Sequence, residues 1–130
     1  MGRFIGLLAF IGFILSLIIH LSTFFGPGIS VTNPLTLALH LGLFVVFIPF
    51  IISARRSVGR RMTLSVLREI LPSWAVLAMI LLFVYAVINF LLLFMGGLET
   101  GTPIARGFSG HWLVFYFTPF VYFMFGKIRR

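Results

Sequence analysis

The stretch Pro72–Met95, PSWAVLAMILLFVYAVINFLLLFM, decides how this chain is read. It carries no charged residue, and beyond its first turn only Tyr85 and Asn89 are polar. A helix needs about 20 predominantly apolar residues to cross a hydrocarbon layer, and this stretch supplies them. Working outward, the same features recur. Phe4–Phe24, FIGLLAFIGFILSLIIHLSTF, reads as a first span, broken by Gly26-Pro27-Gly28. Asn33-Pro34 opens a second span, about Pro34–Ser53, with proline suited to the first helical turn. Gly96-Gly97 ends the third span. A fourth, about Ser109–Phe125, is closed by Gly126 and the tail Lys127-Ile128-Arg129-Arg130.

Composition agrees. Hydrophobic residues make up 61% of the 130 and charged residues 9%, against about 25% charged in soluble domains. A small water-soluble fold leaves too much surface exposed to hide so many apolar side chains. The expectation is therefore all-α: a four-helix transmembrane bundle, one integral membrane domain over residues 1–130, with spans about 4–24, 34–53, 72–95 and 109–125. Arg3 before an apolar run imitates a signal peptide, but Phe4–Phe25 is longer than an h-region and no small-residue cleavage site follows. It reads as a retained helix. The absence of cysteine excludes disulfides, thiolate metal sites and cysteine nucleophiles.

Charge placement suggests orientation. Arg3, the loop residues Arg55, Arg56, Arg60, Arg61 and Arg68, and the tail hold all ten basic residues except Arg106. Cytoplasmic loops are enriched in Lys and Arg, and an even number of spans puts these three segments on one side. The expected topology is N-in/C-in. Basic residues confined between apolar spans also argue against nucleic acid, despite the net charge of +8. The basic loop reads as a contact for anionic lipid. Within it, Met62–Leu71 fits a short surface helix with Leu64, Leu67 and Leu71 on one face and Arg61 and Arg68 toward head groups. A solvated turn is the alternative.

Polar groups inside apolar spans are costly, so each is a candidate site. They are Ser16 and His20, Thr36 and His40, Tyr85 and Asn89, then Ser109, His111, Tyr116 and Thr118. The first three pairs are spaced i,i+4, which places both members on one helix face. At 1.5 Å per residue His20 lies about 6 Å, and His40 and Asn89 about 9 Å, inside the outer edge. His111 sits near that edge. His20, His40, Asn89 and His111 thus form one level in the outer half, and these are the candidate cofactor-binding residues.

Three readings of this level stand. Interhelical hydrogen bonds would lock the helices together, and this structural reading is preferred. Alternatively His20 and His40 ligate a haem b iron or hydrogen-bond a quinone. A metal, proton or ion path through His20, His40 and His111 is the third. No metal site is assigned, because no carboxylate lies near the imidazoles within the spans. No catalytic constellation appears, since Glu69 and Glu99 fall on opposite sides of the membrane, so no enzyme is expected. Trp112 and Trp74 suit the aromatic belts. Pro49 and Pro119 should kink their helices.

Arg106-Gly107-Phe108-Ser109-Gly110-His111-Trp112 followed by Phe115-Tyr116 resembles an element of small uncharacterised bacterial membrane proteins, R-G-F-S-G-H-W-x-x-F-Y. Pro72-Ser73-Trp74 and Tyr85-Ala86-Val87-Ile88-Asn89-Phe90 are similar to further segments of that family, as are the His20 and Leu39-His40 regions. The resemblance implies a bacterial inner-membrane location and supports nothing catalytic. Physically, Ser109 suits an N-cap, Gly110 allows close helix approach, and His111 faces the loop or the bundle mouth. The functional expectation is a structural or accessory component of a membrane assembly, with other membrane subunits as partners. A haem- or quinone-binding anchor of a redox complex, and a small channel or transporter, are the alternatives.

Overall fold

A computed structural model describes residues 2–25, 33–59, 63–95 and 102–126. Five helices follow one another: α1 (Gly2–Phe25), α2 (Pro34–Val58), α3 (Leu64–Ile70), α4 (Ser73–Met95) and α5 (Thr102–Phe125). Local chemistry sets several of their ends. The Asn33 side chain accepts from the Leu35 N–H at 2.9 Å and Pro34 follows it, so α2 begins there. Gly59 ends α2 in the left-handed region at φ 68°, its N–H donating to the Arg55 carbonyl. Thr63 caps α3 by accepting from Val66 N–H.

The expected four-helix transmembrane bundle is corrected in two respects. There are five helices among the described residues, because the basic connection folds into α3. Three of them, α1, α2 and α4, are long and apolar enough to cross a membrane. The expected fourth span falls inside α5, which is interspersed with Arg106, Ser109, His111, Tyr116, Thr118, Pro119 and Tyr122. The physical reason is enclosure. α5 lies against α1 and α4 over much of its length and against α2 as well, so Trp112, Leu113, Tyr116, Val121 and Tyr122 are all buried. A helix wrapped by others need not meet lipid on every face. With three candidate crossings the parity argument for N-in/C-in also falls. The breaks Gly26-Pro27-Gly28 and Gly96-Gly97, and Arg60, Arg61, Met62, Glu99 and the tail Lys127–Arg130, lie outside the described residues.

Contacts fix the helix directions. Gly2 and Gly6 of α1 face Phe123 of α5, while His20 meets Ser109, so these helices are antiparallel. α4 also runs against α5, with Trp74 beside Phe125 and Asn89 near Gly110. α2 runs with α5: Leu39 accepts from Tyr116, and Ser53 meets Tyr122. One end of the molecule therefore carries Arg3, Arg55, Arg56 and Arg68, and the other carries Arg106 and the three histidines. The common level read for His20, His40, Asn89 and His111 is this second end.

α1 approaches α5 closely because its inner face is small: Gly6, Ala9, Gly12 and Ser16 are all buried. Gly12 lies against the Tyr116 ring, where any side chain would overlap it. Gly42 of α2 leaves room for the same hydroxyl, which donates to the Leu39 carbonyl at 2.6 Å. At the arginine-rich end Phe50, Ala54, Ile70, Leu71, Val76, Val121 and Tyr122 form a second core. Here α3 tucks in through Val66 and Ile70, while Leu64 is exposed. Of the expected Leu64–Leu67–Leu71 face, Leu71 is buried and Leu67 packs against the core, and only Leu64 is turned out. The chain bends around Leu71 and Pro72 into α4, and that geometry turns Val66 and Ile70 inward.

The outer faces of the apolar helices are unlike a water-soluble surface. Phe44 is 63% exposed, Leu81 61% and Leu92 58%. Soluble monomers rarely show contiguous apolar patches of that kind beyond a few hundred Å². Together with the three apolar helices, these faces identify a membrane protein.

Candidate functional site: two polar clusters at one end

His20 is buried at 3% exposure. Its Nδ1 lies 2.8 Å from Ser109 Oγ of α5, and its Nε2 bonds the Tyr85 hydroxyl of α4. Ser109 Oγ also lies 3.3 Å from the Arg106 carbonyl. In either neutral tautomer one ring nitrogen donates and the other accepts, so the Ser109 and Tyr85 hydroxyls between them engage both. Three helices are joined through one imidazole, whose two nitrogens are both engaged.

The network extends to the end of α1. Thr23 donates to the His20 carbonyl at 2.6 Å, and Arg106 donates to the Thr23 carbonyl at 2.9 Å and toward Thr23 Oγ1 at 3.3 Å. The guanidinium also sits 4.1 Å over the Phe24 ring. A cation at a helix C-terminus meets orphan carbonyls and the negative end of the dipole. Arg106 does this for α1 from α5. Asn89 is buried, donates to the Tyr85 carbonyl at 2.8 Å, and packs beside Gly110.

His40 and His111 form a separate cluster between α2 and α5. Their ring centres are 5.9 Å apart, and His40 stands edge-on to Trp112 at 4.7 Å. His40 Nδ1–H donates to the Thr36 carbonyl at 2.9 Å, and His111 Nδ1–H to the Gly107 carbonyl at 3.4 Å. In the neutral rings Nε2 then carries the lone pair. Trp112, 1% exposed, has no hydrogen-bond partner for its indole N–H among the described residues.

Of the residues singled out from sequence, the structure joins His40 with His111 and places His20 and Asn89 in the other cluster, with Tyr85. It does not pair His20 with His40: the one faces Ser109 and Tyr85, the other His111 and Trp112. No group of three or more His, Cys, Asp or Glu side chains able to hold a metal occurs among the described residues. Two local readings are corrected. Ser109 is not an N-cap, because α5 begins at Thr102 and Ser109 lies about two turns inside it. Trp112 is not in an interfacial belt, because α5 is enclosed; Trp74, 55% exposed, does stand at the surface. Sequence reasoning left Arg106 and Thr23 out of the site. The one signal for Arg106 was an arginine isolated at the histidine end.

Compared with protein-family models, with curated proteins and with solved structures, the chain gives no match in any of the three. Its class therefore rests on its own features: an all-α membrane protein with three apolar helices and, at one end, a histidine-centred hydrogen-bond network between helices.

Proposed function

We propose that this chain is a non-catalytic, multi-pass accessory protein of a bacterial inner membrane, a rigid unit built to sit beside other membrane subunits. The observation that carries this reading is the saturation of His20. An imidazole that spends both nitrogens on Ser109 and Tyr85 offers no lone pair to a ligand, but it does fix three helices relative to one another. Interhelical bonds of this type contribute about 0.6 kcal/mol each on average and up to about 1.7. The exposed apolar faces suit neighbouring helices as well as lipid, and Arg55, Arg56 and Arg68 gathered at one end suit anionic head groups at about 1 kcal/mol each. Gentle solubilisation of native membranes followed by sizing tests it. Migration in an assembly larger than the chain alone is expected, and migration as a lone chain contradicts an accessory role.

A second reading is favoured by His40 and His111. Two neighbouring imidazoles with Nε2 lone pairs suit an apolar ligand whose head bears hydroxyl donors, such as a quinol. An apolar cavity of about 370 Å³ between α4 and α5, lined by Ala86, Phe90 and Phe115, reaches His111. Extraction of quinone from purified protein, lost in His111→Ala, supports this alternative. A Soret band lost in His40→Ala would indicate haem instead, and a colourless, quinone-free, folded protein removes both.

A further inference from the structure

α1 and α2 both pack on α5 and meet each other less than either meets α5, and a groove marked by two cavities lies between them over α5. At the arginine-rich end it opens into a cavity of about 660 Å³ lined by Gly2, Ile5, Ser53, Arg56, Ser57 and Phe123. Farther along the same two helices comes an apolar cavity of about 240 Å³, lined by Leu8, Gly12, Ala38, Gly42, Val45 and Tyr116. The groove thus changes along its length from a guanidinium, beside two serine hydroxyls held by Tyr122, to a wall of aliphatic side chains.

We propose that this groove holds one anionic phospholipid, its phosphate at Arg56 and an acyl chain laid toward Gly42. The inference rests on the membrane reading. Charge is the first argument for this occupant. The chain has ten basic residues and two acidic ones, so most guanidinium charge has no carboxylate within the molecule to pair with. A phosphate diester is the anion that membranes offer at that level. The second argument is length and polarity. Gly42 lies fourteen residues from Arg56, about 21 Å along α2 at 1.5 Å per residue, which matches an extended acyl chain. The third is shape. Gly12 and Gly42 carry no side chain, so the Tyr116 ring and hydroxyl seat against them and floor the apolar cavity that all three line.

The full chain, purified in mild detergent and mixed with equal phosphatidylglycerol and phosphatidylcholine, is examined by native mass spectrometry. One retained phosphatidylglycerol is expected, preferred about fivefold, the ratio that about 1 kcal/mol provides. Arg56→Gln removes the preference; Arg55→Gln, one residue round the helix and outside the cavity lining, lowers only the general attraction of the basic end and leaves a clear preference. Val45→Trp, at an exposed position, lowers retention of both lipids. No preference in the natural chain overturns the proposal, as does equal loss with Arg55→Gln or unchanged retention with Val45→Trp. Displacement by inorganic phosphate also overturns it, in favour of a free-anion site. Release of the protein from membranes by alkaline carbonate would instead defeat the membrane reading itself.

Discussion

Arg106 shows how one side chain can serve two helices. It belongs to α5, yet its guanidinium covers the last carbonyls of α1 and the Phe24 ring. Arg106→Gln keeps some hydrogen-bonding capacity and loses the charge. It should cost about 0.3–2 kcal/mol, and amide exchange measured over Ser22–Phe25 should rise while α4 is unchanged. Unaltered protection there would mean that α1 ends without help. Gly12 makes the opposite kind of demand, for space. Gly12→Val places methyl groups where the Tyr116 ring lies and should destabilise by about 1–3 kcal/mol, the usual range for overpacking. Tyr116→Leu in the same chain should recover part of that loss, read by equilibrium unfolding in bicelles. These residues also show what sequence made legible. His20, His40, Asn89 and His111 were visible because ionisable or amide groups in apolar spans are expensive. Their division into two clusters was not, because depth along a helix says nothing about rotation around it.

At the scale of elements, α3 and α5 are instructive. The leucines of the basic connection suggested a face of Leu64, Leu67 and Leu71; packing keeps Leu71 and Leu67, adds Val66 and Ile70, and leaves Leu64 out. A seven-residue helix has too few positions for periodicity to decide its inner face; the turn into α4 decides it. Ile70→Ala should therefore cost about 2–5 kcal/mol, whereas Leu64→Ala should be nearly neutral in the same unfolding measurement. Equal costs would return the inner face to the leucine stripe. The start of α5 was misread because Thr102, Pro103 and Arg106 look like loop chemistry. Pro103 is compatible with a first helical turn, and Ser109 then falls inside the helix, where it reaches His20. The small-residue face of α1, Gly6-Ala9-Gly12-Ser16, was present in the sequence as a signal for close helix approach and would have pointed to α5 as its partner.

For the whole molecule, composition was enough to establish apolar helices, and it overreached on their number and sidedness. Hydropathy counts a helix by what its residues would prefer, while α5 owes its mixed character to enclosure by α1, α2 and α4. Spin labels at Leu81 and Phe44 should be open to oxygen and shielded from a water-soluble nickel reagent, and a label at Val121 should be shielded from both. A label at Leu81 reached freely by the nickel reagent would show that α4 faces water. The central claim, however, is that His20 ties α1, α4 and α5 together. Its most direct test is a double-mutant cycle of His20→Ala and Tyr85→Phe, read as unfolding free energy in bicelles. The account predicts a coupling of about 0.6–1.7 kcal/mol between the two. Strictly additive losses would contradict it, because the two side chains would then be contributing independently.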